Sequence, residues 1–135
     1  MIDAYNVYEV ELEDKKIKID CSYEDVSILS ISINNEIIDS FDIAPCFLCS
    51  VTKAISYVLK LNNKDIKVTR NISEEADWRY SVMFYNNILT LHYIEDGHEE
   101  CCHTMEVKIE NNDIEKLVKF FNTVSNLEKL NEKGE

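Results

Sequence analysis

Residues 78–93 read Trp-Arg-Tyr-Ser-Val-Met-Phe-Tyr-Asn-Asn-Ile-Leu-Thr-Leu-His-Tyr. Trp78, Tyr80, Val82 and Phe84 alternate with Arg79, Ser81, Met83 and Tyr85, the two-residue period of a half-buried strand. Asn86-Asn87 then supplies two residues that tolerate positive φ. The pattern resumes in Leu89, Leu91 and Tyr93, which predicts an antiparallel hairpin closed by a two-residue turn.

The same grammar extends in both directions. Tyr8, Val10 and Leu12 alternate with Glu9, Glu11 and Glu13, and Ile17, Ile19 and Cys21 alternate with Lys16, Lys18 and Asp20. A two-residue turn at Asp14-Lys15 would set Glu11 opposite Lys18 and Glu13 opposite Lys16, pairs worth about 0.2–1 kcal/mol each. Leu29, Ile31 and Ile33 predict a third strand, Asn34-Asn35 a turn, and Ile37, Asp39, Phe41 and Ile43 the return.

Between the two groups of strands lies a helical stretch from about Pro45 to Leu61. Leu48, Val51, Ala54, Ile55, Val58 and Leu59 share one side of it, Pro45 suits its first turn, and Asp42 is a candidate cap. A strand follows around Ile66 to Ile72, with Lys67 and Thr69 outward. After the acidic loop Glu95-Asp96-Gly97-His98-Glu99-Glu100, Cys101, His103, Met105, Val107 and Ile109 are expected on one strand face. Asn112 and Glu115 open a last helix as a capping box, with Ile114, Leu117, Phe121, Val124 and Leu127 as its apolar stripe.

The predicted fold is therefore α+β. It is a mainly antiparallel sheet of hairpins in the order ββββ-α-β-ββ-β-α, with two helices packed on one face. One domain is expected over residues 1–130, with 131–135 as a frayed tail. The strands-then-helix order occurs twice, although residues 1–61 and 62–130 share no sequence motif.

The 135 residues carry 26 acids and 14 bases, a net charge of −12. Residues 1–44 hold 11 acids against 3 bases, and residues 73–115 hold 11 against 2. Residues 45–72 reverse the sign, with 1 acid against 5 bases. Nucleic acid and anionic lipid are poor partners for the acidic parts, because phosphate binding needs clustered Lys and Arg. A basic protein suits them, since complementary fields speed encounter. The ordinary alternative is that the charge only keeps a small domain soluble.

Five cysteines and no export signal lead to the expectation of reduced thiols in a cytoplasm, and no stretch is apolar enough to predict a membrane span. Cys46-Phe47-Leu48-Cys49 sits at a helix start, where the dipole favours a thiolate. It lacks the cis-proline of a thioredoxin-like site, since Pro45 is the one proline in the chain. His98, Cys101, Cys102 and His103, taken with Cys46 and Cys49, offer zinc ligands, and His98-Glu99-Glu100-Cys101 has the spacing of a knuckle. Their ordinary explanation is core-facing Cys101 and His103 with a solvated His98. No nucleophile motif, phosphate loop or calcium loop is present. No cofactor and no catalysis are expected.

A small acidic chain without a catalytic set has the general look of bacterial immunity proteins, which protect a cell from a nuclease toxin; no motif ties it to a family. The expected function is inhibition of a basic nuclease-type toxin. Glu74, Glu75, Asp77, Glu95, Asp96, Glu99 and Glu100 are the expected contact residues, and Trp78 is either an aromatic anchor or the start of a core row. The alternatives are a phage-encoded inhibitor of a host defence nuclease, an acidic secretion chaperone, and a zinc- or thiol-dependent protein using Cys46, Cys49, His98 and Cys101.

Overall fold

A computed structural model describes residues 5–62, 65–73 and 78–133. It has two four-stranded antiparallel sheets and two helices, in the strand and helix order read from the sequence. The chain divides into two compact units, Met1–Leu48 and Cys49–Glu135.

The first unit is a meander of β1 (Val7–Glu11), β2 (Lys16–Asp20), β3 (Ser27–Ile33) and β4 (Glu36–Ile43), each strand paired with the next. Alternation decides its buried face: Ile17, Ile19, Leu29, Ile31, Phe41 and Ile43 are all buried. The β1–β2 register differs from the predicted one. Glu9 faces Lys18 and Glu11 faces Lys16, because four residues, not two, connect the strands. Leu12 is the reason. Its side chain is buried and its N–H donates to the Lys15 carbonyl at 2.7 Å, so it belongs to the loop. A shift of two keeps every side chain on its predicted face. At the far end of β2, Asp20 Oδ1 accepts from the Ser22 N–H at 2.9 Å. The Ser22 side chain and N–H together hold the Asp20 carboxyl below its ordinary pKa, with Lys18 adding to the effect against partial burial.

Asn34 and Asn35 take φ of 55° and 67°, the paired left-handed conformations of a type I′ turn. A bulge follows, in which Ile31 faces Asp39 but Ser32 faces Ile37, leaving Ile38 as the extra residue. The bulge reverses the side-chain phase. Ile37, expected on the same face as Phe41 and Ile43, is therefore exposed, as is Ile38.

Ala44, not Asp42, precedes the short 3-10 turn Pro45–Phe47, and no side chain caps it; Asp42 is an exposed residue of β4. The second unit comprises α1 (Leu48–Leu61) apart from its first residue, then β5 (Val68–Ile72), β6 (Trp78–Tyr85), β7 (Ile88–Glu95), β8 (His103–Lys108) and α2 (Asn111–Lys133). The whole predicted α1 stripe is buried, Leu48 through Leu59. In α2, Ile114, Leu117, Phe121 and Val124 are buried as expected, but Leu127 is 43% exposed. The two helices run antiparallel and close together. Ser56 Oγ donates to the Val118 carbonyl at 3.0 Å and Ser125 Oγ to the Cys49 carbonyl at 3.2 Å. Small hydroxyl residues permit the approach, and each proton finds a carbonyl on the neighbouring helix.

The β6–β7 turn is again type I′, with φ of 52° at Asn86 and 65° at Asn87. Asn87 has a second role: its Nδ2 donates to the Ile109 carbonyl at 2.9 Å and to Asn111 Oδ1 at 2.7 Å, tying the turn to the start of α2. Asn112, expected as the cap, lies inside the helix. Helix α2 also continues through Lys133, beyond the point where the tail was expected to begin. Among the described residues no helix is long and apolar enough to cross a membrane.

Candidate functional site

The two-residue turn at Asn86-Asn87 fixes the register of the hairpin from one end to the other. Trp78 is set opposite Glu95, Arg79 opposite Ile94, and Tyr80 opposite Tyr93. The end remote from the turn therefore combines an aromatic row with the acidic connection to β8. Trp78 meets Tyr93 edge-on at 6.4 Å between ring centroids, and Tyr80 meets Tyr93 at 5.2 Å. Tyr80 is buried and Trp78 half-buried, so of its two readings Trp78 takes that of the outer member of the core row.

From Glu95 the chain makes a tight turn in which the His98 N–H donates to the Glu95 carbonyl at 3.1 Å. Gly97 takes φ of +83°, a conformation that side chains disfavour. A single 3-10 turn, Glu99–Cys101, follows, and Cys102 returns the chain to β8. The Cys102 sulfur accepts from the Glu95 N–H at 3.4 Å and lies 3.9 Å from the Glu95 and His98 carbonyls, bracing the connection from within.

Four of the expected contact residues are brought together here. Glu95 Oε1 accepts from the Tyr93 hydroxyl at 2.6 Å, and Asp96 Oδ2 lies 3.1 Å from Arg79 Nη1. Glu99 and Glu100 are exposed, with Glu100 3.6 Å from His98 Nδ1. Burial, the hydrogen bond to Glu95, that carboxylate's charge and the neighbouring Tyr80 and Cys101 push the Tyr93 hydroxyl well above its ordinary pKa. The other three, Glu74, Glu75 and Asp77, lie outside the described residues.

Among the described residues no group of three or more His, Cys, Asp and Glu side chains could hold a metal ion. Cys46 is exposed in the 3-10 turn, whereas Cys49 is half-buried in α1, its Sγ 3.4 Å from both the carbonyl and the hydroxyl of Ser125. Cys101 and His103, which were expected to face the core with Met105, Val107 and Ile109, are exposed instead. Cys101 belongs to the 3-10 turn and His103 is the first residue of β8, so the buried row begins at Met105. Desolvation, the Glu95 and Glu100 carboxylates and Cys102 push the Cys101 thiol upward in pKa, the opposite of an activated nucleophile. Thr104 Oγ1 and His92 Nδ1 lie 3.2 Å apart across the β7–β8 register, a hydroxyl–imidazole pair on the exposed side of the sheet.

Two features escaped the sequence. Arg79 braces Asp96, which was legible once the two-residue turn was accepted, because that register places Arg79 opposite Ile94 and diagonal to Asp96. The other lies in the first unit. The β1–β2 loop and the Asn34-Asn35 turn flank a notch of about 260 Å³ whose charged lining is mixed, Glu11, Glu13 and Asp14 with Lys15 and Lys16. Among the described residues of the second unit, two further grooves are open to solvent. One, of about 510 Å³, separates the end of α1 at Leu59 and Lys60 from the start of α2 at Asn111 and Ile114. The other, of about 520 Å³, runs between α1 and β5 and carries Lys53 and Arg70.

No family model matches the chain, and no curated protein matches it. Among solved structures, it is similar to the plant transcriptional regulator PBF-2, with 12% identity and a TM-score of 0.41 over 93% of this chain and 82% of that one. It is also similar to a protein of unknown function from the DUF155 family of Prochlorococcus sp. NATL2A, with 14% identity and a TM-score of 0.40 over 86% of this chain and 99% of that one.

Proposed function

We propose that the chain is a small, non-catalytic cytoplasmic binding protein of the immunity or inhibitor type, and that it neutralises a basic nuclease-type toxin through the β7–β8 connection. One observation carries the reading. Glu95, Asp96, Glu99 and Glu100 fall within six residues on a turn braced by Tyr93, Arg79 and the Cys102 sulfur. Four carboxylates against one arginine make that end of the sheet strongly negative. The bracing supports the carboxylates before a partner arrives, which lowers the ordering cost of binding. A nuclease groove that takes phosphate is rich in Lys and Arg, and fixed carboxylates mimic that phosphate.

The test is an association-rate measurement by stopped flow, against a panel of purified basic nuclease domains. Reversing Glu99 and Glu100 to Lys is expected to slow association at least about tenfold at low salt and to flatten its salt dependence. Unchanged kinetics would remove this end of the sheet from the interface.

A further inference from the structure

Strands β4 and β5 each form an outer edge of their sheet, and they carry opposite charge. Strand β4 holds Glu36, Asp39 and Asp42 and no base. At β5 the cations are Lys67, one residue ahead of the strand, and Arg70, with Asp65 two residues further back. Each cation is seated on a tyrosine. Arg70 lies 4.2 Å from the centroid of Tyr57 on α1, and Lys67 Nζ lies 5.5 Å from that of Tyr85 on β6. The two therefore occupy opposite faces of β5, Arg70 on the side approached by α1. Beside Arg70, Lys53 adds a second cation to the groove between α1 and β5. Asp39 and Asp42 likewise sit on opposite faces of β4. Asp39 is on the side of Phe41 and Ile43, facing Ile31, and Asp42 is on the side of Ser40.

We propose that copies of this chain associate head to tail, with edge strand β4 of one copy adding antiparallel to edge strand β5 of the next. The spacing selects the register. Asp39 to Asp42 and Lys67 to Arg70 are both three residues apart, so one antiparallel alignment sets Arg70 opposite Asp39 and Lys67 opposite Asp42. Directly opposed residues share a face, so both ion pairs form together and the apolar faces of the two sheets continue on one side. A parallel alignment would join the apolar face of one sheet to the polar face of the other. In the isolated chain the Asp39 carboxylate accepts from the Ser40 N–H at 2.8 Å. A carbonyl of the incoming strand takes over that donor and releases the carboxylate to Arg70. Such a contact is heterologous, using a different surface on each copy.

The measurement is sedimentation equilibrium of the full chain at concentrations up to about 1 mM, the range a short edge-to-edge contact requires. The weight-average mass of the native chain should climb from 15.8 kDa towards at least twice that value. The D39K/D42K variant should stay at the monomer mass, even though its net charge moves from −12 to −8 and general repulsion falls. The fourfold exchange D39K/D42K/K67E/R70E returns the net charge to −12 with every pair reversed, and should regain the native mass curve. A native chain that stays monomeric throughout would overturn the proposal and leave the edge charges as guards against strand pairing. So would a D39K/D42K variant that associates like the native chain, or a fourfold variant that fails to recover. Circular dichroism of each variant establishes that the fold is intact.

Discussion

Arg79 and Asp96 meet diagonally across the β6–β7 hairpin, Nη1 to Oδ2 at 3.1 Å, and this ion pair holds one of the four carboxylates of the acidic connection. Both side chains are substantially exposed, so the pair stabilises the fold by about 1 kcal/mol at most. Arg79→Ala is therefore expected to leave the urea midpoint nearly unchanged. Under the proposed function it also removes the neutralising cation, and association with a basic nuclease domain should become several-fold faster at low salt. A slower rate would place Arg79 itself in the contact.

Tyr93 carries a pH dependence at the alkaline end. Its folded pKa is raised, so above pH 10, the ordinary value, the folded chain keeps a proton that the unfolded chain gives up. The contribution is complete below that value and is lost as the pH rises through the folded pKa. Tyr93→Phe keeps the ring against Trp78 and Tyr80 but deletes the bond to Glu95, and should cost about 1–2 kcal/mol at pH 7. Its stability should then fall less steeply between pH 10 and 11 than that of the native chain. Parallel curves from urea titrations would show that Tyr93 is not the titrating group.

The two asparagine turns are not equivalent. Asn35 and Asn87 are both in the left-handed region, where glycine is relieved of a steric cost of about 1 kcal/mol. Asn35 is an exposed turn residue, and Asn35→Gly should stabilise by a few tenths of a kcal/mol up to that limit. Asn87→Gly also breaks the links to Ile109 and Asn111, each worth about 1 kcal/mol, and should be destabilising. Denaturation midpoints that moved the same way would show that the latch contributes nothing.

Within α2, burial separates two residues that helical periodicity treats alike. Phe121 is fully buried and Leu127 is 43% exposed. Phe121→Ala should cost about 3–5 kcal/mol and Leu127→Ala about 0.5 kcal/mol or less, measured by chemical denaturation. A large loss at Leu127 would mean that the exposed end of the helix is covered in solution.

Period-two and period-3.6 patterns made the strands, the helices and most buried residues legible, because both depend on which side chains leave water. The two Asn-Asn turns were readable for a related reason, since few residue pairs accept two consecutive positive φ values. What failed was set by single residues acting against the pattern. Leu12 is apolar and in phase, yet it is buried in a loop, so the β1–β2 register moved by two. Ile38 sits in a bulge, which left Ile37 on the wet side. At the acidic connection, composition located Glu95, Asp96, Glu99 and Glu100, but not the bracing by Tyr93 and Cys102, which requires three-dimensional closure. Cys101 and His103 continued the alternation of β8 on paper. The strand begins only at His103, after a 3-10 turn, and its buried row begins at Met105.

The Asn86-Asn87 turn and the acidic connection lie at opposite ends of the same eight-residue strands, about 25 Å apart at roughly 3.4 Å per residue. The hairpin thus carries its own reference mark. In an amide-shift titration with a cationic protein, Asn87, Ile109 and Asn111 should hold their positions while Glu95 to Cys102 move. A general change in the fold would displace both sets at once, so each spectrum separates local contact from global disturbance without a second sample.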